Sequence, residues 1–455
     1  MKYHWLRHTH STRLILIFAG WGTDAALYST IGADGWDVLI CYDFGTFDFR
    51  ADAVKQYRTI YLYAWSLGVH AASLSLRGVP LTAAFAINGT EHPADDTMGI
   101  PTAIYHGTRQ TLNPRNLEKF RRRMFASRQD YDLTAPLLPA EPDIEELQSL
   151  LLTAADTTAD PADFWTRAYI SSDDRIFPPA NQRKAWLNSP SKCDICENPG
   201  AHYVDIQQII SNTIPNPGIV GRKFSSALST YDSHATAQQQ IIARLCRLIE
   251  EEHFPDGGSV LEIGQGSGMS TKAFAELLRP EEIDLIDLYE TPEIPVAATS
   301  RYHIGDAEQW IDNSERRWDA ILSSSAIQWF ADVRVFLRRA ADHLNPGGML
   351  ACATFAPGNL SEFDSLRPAP MLYRTADELE TCLRECYDHV KVVEDEIRTT
   401  FASPREALLH LRRTGVGGFA HHKLPLQTIL DCIPCDDNGN YYLTYRPIYF
   451  VARKR

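Results

Sequence analysis

Apolar runs of strand length alternate with helix-like stretches along the whole chain, and this alternation restricts the fold to α/β architectures with mostly parallel sheets. One series reads RLILIFAG, DVLICYDF, TIYLYAWS, LTAAFAING and RAYISS, and a second reads SVLEIG, IDLIDLY, WDAILSSS and GGMLACATF. Between them, residues 212–223 read NTIPNPGIVGRK, with two prolines and two glycines in twelve residues. Such a stretch predicts a break between domains. A chain of 455 residues also exceeds what one hydrophobic core usually supports. The expected division is an α/β domain over 1–215, a linker over 216–223 and a second α/β domain over 224–455.

Several classes are disfavoured at once. The longest apolar runs, such as LILIFAGW, fall far short of the roughly 20 residues that a membrane helix needs, so no membrane partner is expected. Nine scattered cysteines argue for a reducing, cytoplasmic setting rather than a disulfide framework. Cys193 and Cys196 in CDICE read as ordinary thiols, and no metal is expected. A formal net charge of −14 opposes nucleic-acid binding, which needs a positive field. An acidic partner would have to meet a local basic patch. The densest is NPRNLEKFRRRMFASR, where Arg115, Lys119, Arg121, Arg122, Arg123 and Arg128 face one acid, Glu118. The same run also reads as a helix with a solvated charged face.

In YLYAWSLGVHAA, residues 61–72, an apolar strand runs directly into a small-x-Ser-x-Gly turn and then a helix of small residues. A turn this sharp lifts a serine clear of the sheet, and it needs small neighbours because strand and helix backbones nearly touch. Ser66 stands at its apex. The pattern more often begins with Gly, where this chain has Ala64, and a serine at a helix N-terminus is the alternative reading. FAGWGTD puts a glycine-rich turn after an earlier strand, where an α/β-hydrolase draws its second oxyanion donor, so the N–H groups of Trp21 and Leu67 form the candidate pair. SSDDRIFPPANQ supplies acids after a strand, and NPGAHYVDI supplies a histidine before the domain ends. The order Ser, Asp, His is the one such folds use. The expected roles are Ser66 as nucleophile, His202 as base and then acid, and Asp174 as the group orienting the imidazole, with Asp173 as the other possible acid. The reaction class is ester hydrolysis; His70 and His106 read as structural.

The second series opens with VLEIGQGSGMST, a strand ending in Glu262 followed by Gly264, Gly266 and Gly268. Glycines let the backbone turn tightly and approach a ligand closely, but a bare G-x-G-x-G serves dinucleotides as well as S-adenosyl-L-methionine (SAM). Glu262 suits the ammonium of SAM. Asp287 in DLIDLYE is placed for ribose hydroxyls and Asp306 in HIGDAEQW for the adenine amino group. WDAILSSSAIQWF, with Ser324, forms a strand beneath the cofactor. No candidate base for a nicotinamide dehydrogenase is found. A carboxylate acceptor would need no general base, because positioning and desolvation supply most of the rate. Arg412 or Arg413 is expected to anchor the acceptor or its carrier arm, with a surface pair as the other reading, and Tyr231 and Trp329 read either as walls of the acceptor pocket or as buried core aromatics.

The first half resembles the BioG-type pimeloyl-[acyl-carrier protein] methyl ester esterases of biotin synthesis, through FAGWGTD, YAWSLGV, AINGTEHPADDTMGIP, KFRRRM, DRIFPPANQRKAW and GAHY, over about residues 2–210. The resemblance implies that Ser66 and His202 are catalytic. It also implies a substrate pimeloyl chain, methylated at its far carboxyl and carried on phosphopantetheine. The second half resembles class I SAM-dependent methyltransferases. More closely, over about 224–420, it resembles the BioC-type malonyl-[acyl-carrier protein] O-methyltransferases, through ALSTYDSHATAQQQIIARL, LEIGQGSG, SSSAIQWF, LNPGGMLACATFAPGNLSEF, LYRTADELE and LRRTGVGGF. Gln265 stands where Cys is commoner. The two resemblances imply an α/β-hydrolase domain fused to a Rossmann-like methyltransferase domain. The partner they imply is acyl-carrier protein; because it is acidic and the chain's net charge is −14, the basic run with Arg121, Arg122 and Arg123 is the expected docking element. Two other readings stay open: a small-ester hydrolase fused to a methyltransferase for another acid, and a carrier-binding scaffold with one inactive domain.

Overall fold

The apolar runs form strands in two separate sheets. The computed structural model describes all residues except 159, 368, 416–424 and 455. They divide into two units, Met1–Asn212 and Thr213–Arg455.

The first unit carries β1 (Lys2–Arg7), β2 (Arg13–Phe18), β3 (Asp37–Tyr42), β4 (Thr59–Trp65), β5 (Ala83–Ile87), β6 (Arg167–Ser171) and β7 (Asp194–Asn198). They lie in the order β1-β3-β2-β4-β5-β6-β7. Strand β1 is antiparallel to β3, and the other pairs are parallel. Every residue of β2 and β4 is buried, which is why these strands read as unbroken apolar runs rather than alternating ones. The two edge strands, β1 and β7, were not expected from the sequence. Their residues alternate between covered and exposed and are largely polar, so they carry no apolar run. Between β5 and β6 the described residues build four α-helices, Thr102–Gln110, Pro114–Arg123, Arg128–Thr134 and Ile144–Asp156.

The second unit carries β8 (Ser259–Ile263), β9 (Glu282–Asp287), β10 (Thr299–Ile304), β11 (Trp318–Ser324), β12 (Leu344–Phe355), β13 (Tyr387–Glu394), β14 (Ile397–Phe401), β15 (Tyr441–Tyr445) and β16 (Pro447–Lys454). Seven form a sheet in the order β10-β9-β8-β11-β12-β16-β13, and β14 pairs with β15. Strand β16 runs antiparallel to both neighbours. Alternate residues of β8 and β11 feed two cores, Val260, Ala320 and Leu322 on one face and Leu261, Ile263 and Ile321 on the other. The strand order reverses between β8 and β11, and in such sheets the crevice outside the carboxyl ends at that point is where ligands bind.

The expected linker over 216–223 is not one. Asn216 caps the helix Pro217–His234 by accepting from the N–H of Ile219 at 3.0 Å, with Pro217 in its first turn. Proline at that position loses no hydrogen bond and has its φ already set. The same Asn-Pro-Gly that reads as a breaker therefore starts a helix, and the boundary between the units falls at 212/213 instead.

Candidate active sites

In the first unit β4 ends at Trp65 and the helix Leu67–Ser75 begins at once, leaving Ser66 between them at φ 58°, ψ −127°. A non-glycine residue in that region is strained, and such strain persists only where its surroundings impose it. The close approach is literal at Gly68, where an added Cβ would overlap the carbonyl oxygens of Phe18 and Ala19.

Ser66 Oγ lies 2.9 Å from His202 Nε2. On the other side of the ring, His202 Nδ1 lies 2.9 Å from Asp174 Oδ2 and 3.1 Å from Oδ1. Asp174 also accepts from the N–H groups of Ile176 and Phe177 at 2.8 and 3.0 Å and from Gln182 Nε2 at 3.0 Å. A carboxylate so supplied with donors stays an acceptor, so Nδ1 carries the proton and Nε2 offers its lone pair to Ser66. Asp173 is exposed and takes no part.

Two positioning residues escaped the sequence analysis. Gln182 holds Asp174. Asn88, at φ 46°, donates to the carbonyls of Ala201 and His202 at 3.1 and 2.8 Å and accepts from Ser171 N at 2.8 Å. Asn88 thereby pins the histidine loop to the end of β6; its only signal in the sequence is an Asn-Gly pair after a strand. His70 is buried, with Nδ1 2.8 Å from the carbonyl of Glu91.

A narrow cavity opens on Ser66, lined by Trp21, Leu67, Tyr105, Phe120 and Met124, with Arg123 also on its wall. The three consecutive arginines do not form one patch. Successive helical residues point about 100° apart, so Arg121 follows Leu117 inward and is buried, with no hydrogen-bond partner at Nε or Nη2 among the described residues. Burial holds its pKa below the usual arginine value. Arg122 pairs with Glu118 at 3.0 Å. Arg123 is exposed, its guanidinium 5.8 Å from the centre of the Phe120 ring. Arg121 is thus removed from the expected docking set.

In the second unit Gly264, Gly266 and Gly268 all have positive φ, at 78°, 55° and 80°, but for different reasons. A Cβ on Gly264 would overlap Ala326, and one on Gly268 would overlap Ile294. One on Gly266 would meet nothing nearer than Tyr289 Oη at 4.0 Å. Gly264 and Gly268 permit packing, whereas Gly266 faces open space.

Three acids surround this loop. Glu262 is fully buried; its Oε1 accepts from Ser270 Oγ at 2.5 Å, the Thr271 hydroxyl lies beside the carboxylate, and among the described residues Oε2 has no well-aligned hydrogen-bond partner. Burial raises its pKa to about 7. Asp287 accepts from Gly266 N at 2.8 Å and from Leu288 N at 2.7 Å, tying the end of β9 to the loop, and burial raises it to about 6. Asp306 caps the helix Ala307–Asp312, accepting from Glu308 N at 3.0 Å. Ser324 ends β11, and its Oγ is buried without a partner among the described residues.

Of the expected acceptor residues, Arg412 is exposed, and Arg413 donates to His234 Nε2 at 2.9 Å. Trp329 packs edge-on against Phe224, with ring centres 6.0 Å apart. Burial holds the Tyr231 hydroxyl in its protonated form. The nine cysteines are free thiols, and Cys193–Cys196 is not the one close pair it was expected to be, because Cys432 and Cys435 form a second C-x-x-C.

The chain is thus a two-unit α/β protein: a Ser-His-Asp array on one sheet, and a glycine-looped, Rossmann-like methyltransferase domain on the other. Residues 1–210 match the family model for the pimeloyl-ACP methyl esterase BioG, and residues 234–386 match a methyltransferase domain. A malonyl-[acyl-carrier protein] O-methyltransferase of Bacteroides fragilis is 34% identical over 460 residues, with 97% of this chain and 93% of that protein aligned. One of Porphyromonas gingivalis is 33% identical over 52% of this chain and 95% of its own length. The crystal structure of BioG from Haemophilus influenzae is 37% identical over 45% of this chain and 94% of that one, with a TM-score of 0.41. This chain belongs to the malonyl-[acyl-carrier protein] O-methyltransferase family, in a form that carries a BioG domain ahead of the methyltransferase domain.

Proposed function

We propose that the chain is a bifunctional enzyme of biotin synthesis that adds a methyl group to a carboxylate with one unit and removes one with the other. The methyltransferase unit esterifies the free carboxyl of malonyl-acyl-carrier protein, and the first unit hydrolyses the methyl ester of pimeloyl-acyl-carrier protein. The observation that carries the esterase half is the unbroken relay from Ser66 Oγ through His202 to Asp174. The strand order with its antiparallel first strand, and the serine on a strained strand-to-helix turn, support an α/β-hydrolase fold. Ser66 Oγ attacks the ester carbonyl while His202 Nε2 takes its proton. Asp174 holds the resulting imidazolium, and the N–H groups of Trp21 and Leu67 receive the oxyanion. The imidazolium then returns the proton to departing methanol, and water releases the acid by the same route. The largely apolar cavity suits a pimeloyl chain.

In the second unit the open space over Gly266 and the buried Glu262 Oε2, without a well-aligned partner among the described residues, fit a ligand with an ammonium group, which supports SAM. Bound SAM supplies a methyl group on a sulfonium, which the acceptor carboxylate takes in line. Glu262 would hold the ammonium, Asp287 the ribose, Asp306 the adenine and Ser324 the wall beneath. The decisive experiment incubates the purified chain with malonyl-acyl-carrier protein and SAM and follows mass. A gain of one methyl group is expected; no gain would overturn the reading.

A cation can be held only by an ionised Glu262, so SAM affinity should depend on pH. With the carboxyl at about 7, calorimetry should find affinity constant above pH 8 and falling about tenfold per unit below pH 7. The Glu262→Gln variant should lose that dependence, and a flat profile in the wild-type protein would refute the role. Because folding raises this carboxyl from 4.5 to about 7, its contribution to stability is full below pH 4.5 and is lost as pH rises to 7.

Acyl-carrier protein is acidic, and a chain with net charge −14 must meet it through local positive charge. Arg123, exposed on the rim of the Ser66 cavity, with Arg122 beside it, is the docking element. Rim charges act mainly on encounter. Reversing both to glutamate should raise KM for the carrier-bound ester about tenfold or more at low salt, yet spare p-nitrophenyl butyrate. Equal losses on both substrates would make the helix a structural support only.

A further inference from the structure

The turn that follows β11 holds three polar side-chain atoms that no described residue hydrogen-bonds. Ser324 Oγ, Ser325 Oγ and Trp329 Nε1 are all buried without a hydrogen-bond partner, within six residues of chain. Buried polar groups are nearly always paired, so each unpaired one calls for an explanation. The turn itself is firmly built. Ser325, at φ 59°, donates its N–H to the carbonyl of Ala353 at 2.9 Å and accepts at its own carbonyl from Gln328 Nε2 at 2.5 Å. Trp329 closes a 3-10 turn by donating to Ala326 at 3.1 Å. The donors are therefore held ready rather than left loose.

The turn also borders the methyl-donor site, because Ala326 packs against Gly264 of the glycine loop. An acceptor oxygen must come within reach of the transferred methyl group, and this is the adjoining wall. The arginines expected to anchor the acceptor are directed elsewhere, Arg412 to the exposed face and Arg413 to His234.

We propose that the free carboxylate of the acceptor is received by Trp329 Nε1–H and Ser325 Oγ–H, two neutral donors. This deepens the methyltransferase reading above and rests on it. Neutral donors orient a carboxylate without neutralising it, so it keeps its nucleophilicity, and its charge is balanced by the methyl donor's own positive charge. Transfer then removes the reason for binding: the methyl ester is uncharged, loses the charge-assisted bonds and leaves. An acyl chain ending in a methyl group offers nothing to either donor. Gln328 Oε1, also buried and unpartnered, is an acceptor and does not serve an anion.

Trp329→Phe keeps an aromatic ring beside Phe224 and removes the five-membered ring that carries the N–H. It should raise KM for malonyl-acyl-carrier protein about tenfold or more, with SAM affinity by calorimetry and melting temperature unchanged. Ser325→Gly removes the hydroxyl and tolerates the positive φ, so it tests the same site if the tryptophan variant folds poorly. With S-adenosylhomocysteine bound, the wild-type protein should bind malonyl-carrier more tightly than acetyl-carrier, and either variant should erase that difference. An unchanged KM in both variants, or equal losses for malonyl- and acetyl-carrier, would overturn the proposal. Absence of methyl transfer by the wild-type protein would instead overturn the function on which it rests.

Discussion

Replacing Ser66 with alanine should abolish methanol release from methyl pimeloyl-acyl-carrier protein, lowering the rate by at least about ten-thousand-fold, while methyl transfer proceeds at its normal rate. Among the described residues Ser66 Oγ is the hydroxyl hydrogen-bonded to His202 Nε2, and the two proposed sites belong to separate units. His202→Ala should cost about as much, because members of a relay that acts as a unit are not additive. Asp174→Asn keeps the shape but offers Nδ1 the wrong partner, and a loss near ten-thousand-fold is again expected. Ser66 occupies a strained conformation, so Ser66→Gly, free of that strain, separates chemistry from folding: it should be equally inactive and melt no lower. Hydrolysis persisting in Ser66→Ala would sink the assignment.

The second large effect lies in the glycine loop. Gly266→Val places a β-branched side chain at φ 55°, in the open space that no protein atom fills. The backbone conformation alone costs about 1–2 kcal/mol, and the side chain would occupy the proposed ligand space. SAM affinity should fall at least about a hundredfold, with ester hydrolysis intact. Gly268→Ala provides the contrast, since its Cβ strikes Ile294 rather than open space: the expected outcome is a lower melting temperature. Near-normal SAM binding by Gly266→Val in calorimetry would show that the loop is not the cofactor site.

Residues whose role is imposed by the local backbone could be read without a structure. The serine between a buried strand and a small-residue helix, and the three glycines after β8, stand out because sharp turns tolerate few residue types. Buried parallel strands are legible for a related reason, since burial on both faces leaves an unbroken apolar run. Residues 216–223 misled because Asn-Pro-Gly both breaks one element and caps the next.

The amino-acid sequence by itself determined two α/β units, the strained turn at Ser66 and the glycine loop at Gly264–Gly268, because these follow from chain-local sterics and hydrophobic pattern. Only the tertiary structure decided between Asp174 and Asp173, adjacent acids of which just one turns toward His202. It likewise turned Arg121 into the interior while leaving Arg123 at the cavity rim, and it left Trp329 Nε1 buried without a partner. Each of these depends on where a side chain ends up relative to groups far away in the chain. Spacing along a sequence does not carry that information, because long-range packing alone sets which neighbour a side chain meets.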